Sequence, residues 1–350
     1  VSLSSAVPDV RHSLGGLPLR ASLTRGALIA AANWPLILIE FVALSLFQSA
    51  LAVPALGGAF VVAVLAQADV AGLLSQGLRP ALALVAAALV SSPVTLWAFL
   101  AAVGVVAVGG TVVLSVVQSA SAAVLVEGER RAPESLHRPP LRWAALQQTH
   151  VYDPEALFAG IRRHGRRFVV LGVWGCVSYT LVGAAATGVG GLALMATGLD
   201  GWAGLWPLAL TMVIALGVLA ASVVNLVWTL VQVVVATEDC RLRVAVRRVR
   251  GFLLADARQV AGIYGVVLSV TLAATATSIL ATAGLALVAW VPVVGLVVVP
   301  LQIAAWLVRG LVFHYVDLSA WAAYQSQFRR WATPPEGASA GRGSHEHDQH

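Results

Sequence analysis

The chain is written in long apolar runs separated by short, arginine-bearing interruptions. Five runs stand out, at about 28–52, 94–126, 168–196, 207–236 and 259–318. A helix needs about 20 apolar residues to cross the hydrocarbon core of a bilayer. The fifth run is long enough for two crossings and breaks at "WVPVVG", near Pro292. The pattern therefore predicts an all-α integral membrane protein with six transmembrane helices. Pro54 interrupts the first run, and "PALALVAAALVSS" (80–92) is apolar but too short to cross. That segment is expected to lie in, or dip into, the far side of the membrane. Two further spans, at about 53–74 and 80–100, are the alternative, and they leave both termini on one side.

A repeat underlies the runs. "LRASLTRGALIAAANWPLIL" (19–38), "EALFAGIRRHGRRFVVLGVW" (155–174) and "LRVAVRRVRGFLLADARQVAGIYG" (242–265) each place a short arginine-bearing amphipathic helix before a span. Each unit closes with a second span that returns to an acid: Glu127, Glu238 and Asp317. This divides a membrane domain of residues 18–332 into three pseudo-repeats, about 18–127, 154–238 and 241–320. It favours six spans over eight. Residues 1–17 form an N-terminal tail without the apolar core of a signal peptide. Residues 333–350, "TPPEGASAGRGSHEHDQH", are too polar and glycine-rich to pack and are expected to be disordered.

Composition sharpens the class. Of 350 residues, 59% are hydrophobic and 11% charged, with a mean hydropathy of +0.86. A soluble domain carries about 25% charged residues, so the bilayer must be the solvent for most of this surface. The formal charge is +6, and every one of the 22 basic residues is arginine. Arginine without lysine reads as a GC-rich bacterial genome, and the opening valine as a literally translated GTG start. The arginines flank apolar runs, so anionic lipid head groups on the cytosolic side are the expected partner, and no nucleic acid is expected.

Charge also orients the chain. Arginines crowd the 127–167 connection, residues 241–250, and positions 329 and 330, whereas the opposite side holds Arg79, Asp69 and Asp200. Loops rich in Arg stay in the cytoplasm. The expectation is a multi-pass protein of the bacterial inner membrane with both termini cytoplasmic.

The amphipathic segments predict lipid head-group contacts through Arg162, Arg163, Arg166 and Arg167, and through Arg243, Arg247, Arg248 and Arg250. Packing on the protein's own cytosolic face is the alternative. In "LSAWAAYQSQFRRWATPP", Trp321, Tyr324, Phe328 and Trp331 recur at helical spacing and read as interfacial aromatics.

Inside the runs the out-of-place residues come in pairs seven apart: Asn33 with Glu40, Asn225 with Gln232, Gln302 with Arg309. Seven residues is about two helical turns, so each pair makes a polar stripe. Glu40 lies about 18 Å and Arg309 about 14 Å from the cytoplasmic ends of their spans, at about 1.5 Å per residue. A buried Glu40–Arg309 ion pair is expected, either fixing helix register or forming a site for a proton, ion or head group. Cys176 and Cys240 carry no disulfide framework. His345, His347 and His350 read as a polar tail and His314 lacks a matching membrane histidine, so no metal or cofactor is expected. No phosphate loop, HExxH or GxSxG is present.

Through "VVVATEDCRLRVAVRRVRGFL" (233–253), a span ending in acid followed by a basic amphipathic helix, the chain resembles bacterial six-span proteins such as the membrane domain fused to some glycerophosphodiester phosphodiesterases. The likeness runs over roughly residues 18–320. The fused enzymes hold their active site in a separate soluble domain, so the resemblance implies a membrane module and carries over no catalytic residue. The expected function is a non-enzymatic scaffold or accessory subunit that meets lipids and other membrane subunits. The alternative is a transporter or lipid-handling permease with Glu40, Asn225 and Arg309 in its path.

Overall fold

The computed structural model describes residues 18–65, 93–140, 143–197, 206–289 and 292–333. The N-terminal tail, the 80–92 segment, Asp69, Arg79, Arg142, Asp200 and the C-terminal histidines lie outside them. What is described is almost wholly helical: α1 (Leu19–Ala32), α2 (Pro35–Leu65), α3 (Pro93–Arg131), a 3-10 turn (Glu134–His137), α4 (Trp143–Thr149), α5 (Pro154–Thr197), α6 (Trp206–Glu238), α7 (Leu242–Ala289) and α8 (Pro292–Ala332).

Six of these helices are long and apolar enough to cross a membrane: Pro35–Gly58, Trp97–Arg131, Pro154–Gly190, Thr211–Glu238, Leu242–Leu285 and Pro300–Ala332. Burial along them is inverted relative to a water-soluble fold. The most apolar stretches are the most exposed, with Leu280 73% and Leu216 61% accessible. Such surface needs lipid around it, which makes this a multi-pass membrane protein. Two expected boundaries move. Pro54 does not end the first run, because α2 continues through it to Leu65; a proline is tolerated inside a membrane helix when neighbours satisfy the freed backbone. The first run instead breaks earlier, at Asn33–Trp34, between α1 and α2. Pro35 opens α2, where its missing N–H costs no helical bond.

The chain forms two compact units. Unit 2 comprises Leu38–Ala120 and Ile161–Val224, and small residues set its packing. The rings of Phe99 and Phe47 lie where side chains at Gly58 and Gly110 would stand, joining α2 to α3. Ser115 and Thr111 press on Gly172, joining α3 to α5. Gly190 faces Val213, and Gly217 faces Ala186, joining α5 to α6. Glycine at such points lets membrane helices approach closely.

Unit 1 comprises Val1–Ile37, Ser121–Gly160 and Asn225–His350. It holds most of the buried core among the described residues: Ile29 and Ala30 of α1, Val124 and Leu125 of α3, Val233 and Val235 of α6, Phe252 and Ile263 of α7, and Phe328 of α8. At its middle, α8 is buried without interruption from Ala320 to Phe328. Gly26 of α1 sits against the Ser319 carbonyl, and a Cβ built there would stand 2.7 Å from Ala323 N. Gln327 Nε2 donates to Ser22 Oγ at 2.6 Å, and Tyr315 Oη donates to the Ala27 carbonyl at 3.2 Å. On another side, Phe252 of α7 meets Phe328 edge-on at 5.6 Å, with Trp331 completing the cluster. α7 itself bends at Asp256, whose φ of −132° and ψ of 35° leave the helical region. The bend falls between the four arginines of its first part and a more apolar remainder that carries Arg258.

Candidate functional site

The best-built polar arrangement in unit 1 starts from α1. Its buried face carries Ser22, Arg25, Gly26, Ile29 and Ala30, the i, i+3, i+4, i+7, i+8 pattern of a core helix, with an arginine inside it. Arg25 reaches the end of α3. Its Nε donates to both oxygens of Glu129 at 3.0 Å. Nη1 donates to the Pro133 carbonyl at 2.7 Å and Nη2 to the Ala132 carbonyl at 3.0 Å. The side chains of the pair are only 5% and 7% exposed. A guanidinium at a helix C-terminus satisfies orphan carbonyls and the negative end of the dipole together.

Asn33, just past the end of α1, does the same for the far end of the connection. Its Nδ2 donates to the Ile29 carbonyl at 3.0 Å and the Thr149 carbonyl at 3.2 Å. Its Oδ1 accepts from the Val151 and Tyr152 amides at 2.9 and 3.1 Å. Both donors and both acceptor positions of the amide are thereby used. His150 Nδ1 lies 2.6 Å from the Ala32 carbonyl. The entry and exit of the 132–152 connection are thus both fastened to α1.

The residues expected from sequence fall out differently. Asn33 is wholly buried in this hub and does not share a continuous helix with Glu40, since α1 ends at Ala32 and α2 begins at Pro35. Glu40 is half-buried in α2. Arg309 is exposed, with its guanidinium 5.4 Å from the ring centre of Phe313 one turn along α8. The burial expected of an ion pair does not hold for it, because a cation–π partner on its own helix is at hand. Asn225 is exposed, Gln302 half-buried and Gln232 buried. Trp321, Tyr324 and Phe328 are not interfacial: they are 7%, 3% and 0% exposed, packed inside the protein. Trp331 is half-buried beside them.

The arginines do lie outward. Arg162, Arg163, Arg166, Arg243, Arg247, Arg248 and Arg250 are exposed and Arg167 is half-buried. On α7 the side opposite them, Ala245, Val249 and Phe252, is buried. Val246 stays exposed at the edge of the arginine stripe and Leu253 is half-buried. Arg248 meets Glu238 at 3.6 Å.

Set beside known proteins, the chain matches no protein-family model, no curated protein and no solved structure.

Proposed function

We propose that the protein is a non-enzymatic scaffold or accessory subunit of a larger membrane assembly, with unit 1 as a cytoplasmic platform. The observation that carries this reading is the inward use of two buried polar side chains, Arg25 and Asn33. Arg25 and Asn33 spend their hydrogen bonds on the 132–152 connection, so the hub stiffens a surface. The three-repeat plan of interfacial helix and two spans belongs to the same reading, and breaks at Asn33–Trp34 and at Asp256 divide helix from span in the first and third repeats. Purification from native membranes in mild detergent tests it. A stoichiometric membrane partner is the expected result. Recovery of the chain alone, with a proton or ion flux in liposomes that Glu40→Gln abolishes, would overturn it in favour of a transporter or lipid-handling permease.

The proposed setting is the bacterial inner membrane with both termini in the cytoplasm, supported by the clustering of exposed arginines in unit 1. Ser135 is exposed just after α3. With Cys176 and Cys240 replaced by Ser, a cysteine at position 135 is expected to resist an impermeant thiol reagent in intact cells and to react after permeabilisation. Labelling from outside reverses the orientation.

The arginines at the starts of α5 and α7 are proposed to meet anionic head groups. Arg243, Arg247 and Arg250 are the strongest candidates on α7, because Arg248 already has Glu238. Changing the three to Gln is expected to reduce enrichment of phosphatidylglycerol around the protein in mixed nanodiscs, by about 1 kcal/mol of lipid preference per residue. The set Arg162, Arg163, Arg166 and Arg167 is expected to behave alike. Unchanged lipid composition in both variants counts against the contact.

A further inference from the structure

The end of α8 lies against the arginine-bearing part of α7. The Trp331 ring stands 3.6 Å from where a Cβ on Gly251 would lie, and its centroid is 5.7 Å from that of Phe252. Arg250, next in the chain to Gly251, closes a stripe with Arg247 and Arg243. Spacings of three and four residues put the three on one helix face.

All three are exposed. None has a carboxylate at ion-pair distance among the described residues, whereas Arg248 on the same helix has Glu238. Like charges one turn apart repel, so this face favours an anionic occupant. Guanidinium forks match carboxylate oxygens in geometry as well as charge.

The chain carries such an occupant just past the end of α8. Residues 334–350 hold Glu336, Glu346 and Asp348 against a single arginine, Arg342. Of the segments outside the described residues it is the most acidic: 1–17 and 66–92 each balance one acid with one arginine, and 198–205 holds Asp200 alone. The stripe from Gly251 back to Arg243 is about 12 Å long at about 1.5 Å per residue. Asp348 follows Thr333 by about 15 residues, a reach of at most about 50 Å. The segment is thus long enough to lay its acids along the whole stripe, and its tether holds them there at about millimolar local concentration.

We propose that residues 334–350 fold back on α7, with Glu336, Glu346 and Asp348 meeting Arg243, Arg247 and Arg250. The contact is intramolecular and electrostatic, a cover for the stripe supplied by the chain itself. Any other anion must displace it to reach these arginines. The docking is independent of whether the protein serves as a scaffold or as a permease.

The experiment uses the full chain with Cys176 and Cys240 replaced by Ser and spin labels on Val246→Cys and Ser344→Cys. Val246 is 55% exposed at the edge of the stripe. The protein sits in phosphatidylcholine nanodiscs, which hold no anionic head group, so the result does not depend on the lipid contact proposed for the same arginines. Pulsed electron resonance at low salt is expected to show a short, narrow distance component. One variant carries Arg243→Gln, Arg247→Gln and Arg250→Gln, and another carries Glu336→Gln, Glu346→Gln and Asp348→Asn. Each is expected to cut the short component by about fivefold, the upper end for one exposed ion pair. Salt at about 1 M, where the Debye length falls to about 3 Å, is expected to do the same. An unchanged thermal midpoint verifies that both variants remain folded. Dilution with unlabelled protein is expected to leave the distance in place. A broad distribution in the doubly labelled parent, a short component that either variant keeps, or one that dilution removes, overturns the docking.

Discussion

Glu129→Gln lowers the stability of the detergent-solubilised protein by about 3–5 kcal/mol, the cost of leaving a buried charge without its partner. Arg25 cannot escape to solvent, because it is 4% exposed and held to the Ala132 and Pro133 carbonyls. Arg25→Met costs at least as much, since it strands Glu129 and frees both carbonyls at the end of α3. The double variant Arg25→Met, Glu129→Leu is milder than the two losses added, because neither charge remains alone. Denaturant unfolding gives the energies, and limited proteolysis shows where the chain opens, with cleavage expected in 132–152. Fully additive losses would sink the coupling.

Gly26→Ala is the second large effect, and its sign is the informative part. Alanine in place of a helical glycine ordinarily gains about 1 kcal/mol. At Gly104, Gly109 and Gly183, a Cβ would meet nothing within 4 Å, so alanine there is expected to be neutral or stabilising. At Gly26 the Cβ would meet the Ser319 carbonyl, Ala323 N and Ala323 Cβ. Two of these are backbone and cannot step aside by a rotamer change. Overpacking of this kind costs about 1–3 kcal/mol or more, and Gly26→Val is expected to separate α1 from α8 outright. Thermal midpoints of the four alanine variants measured together decide it. A Gly26→Ala protein as stable as Gly183→Ala would show that the two helices do not approach this closely.

The spans were legible because the solvent they need writes itself into composition: a lipid-covered helix has to be apolar on every side. The division of the last apolar run into two helices was legible from its length, more than one crossing needs. Other features escaped because one spacing serves two environments. Trp321, Tyr324 and Phe328 form a helical stripe whether the neighbour is lipid or protein. The discriminating signal was the rest of the turn: from Leu318 to Phe328 the chain carries no charge, whereas the exposed face of α7 carries four arginines between Leu242 and Gly251. A helix at a water interface needs charges on its outer face, and this one has none because it has no outer face.

The hub was illegible for a different reason. Arg25 and Glu129 are 104 residues apart, and no local pattern joins them. Asn33 was visible as a polar residue in an apolar run, but "NWP" is also a helix-ending signal, since the residue before proline is pushed out of the helical region. Reading it as a break would have placed Asn33 at a helix end, where amides commonly cap, and removed it from a stripe with Glu40.

The bond from Gln327 to Ser22 spans 305 residues, and that separation has a consequence during synthesis. Ribosomes add about 5–20 residues per second, so α1 emerges about 15–60 s before the stretch of α8 that covers its buried face. Through that interval Ser22 and Gly26 lack the α8 neighbours they end against. The α3 terminus arrives much sooner, so Arg25 and Glu129 can meet while most of the chain is still unmade. The hub is then an early fastening that holds α1 beside the 132–152 connection, and α8 inserts into a groove already half assembled.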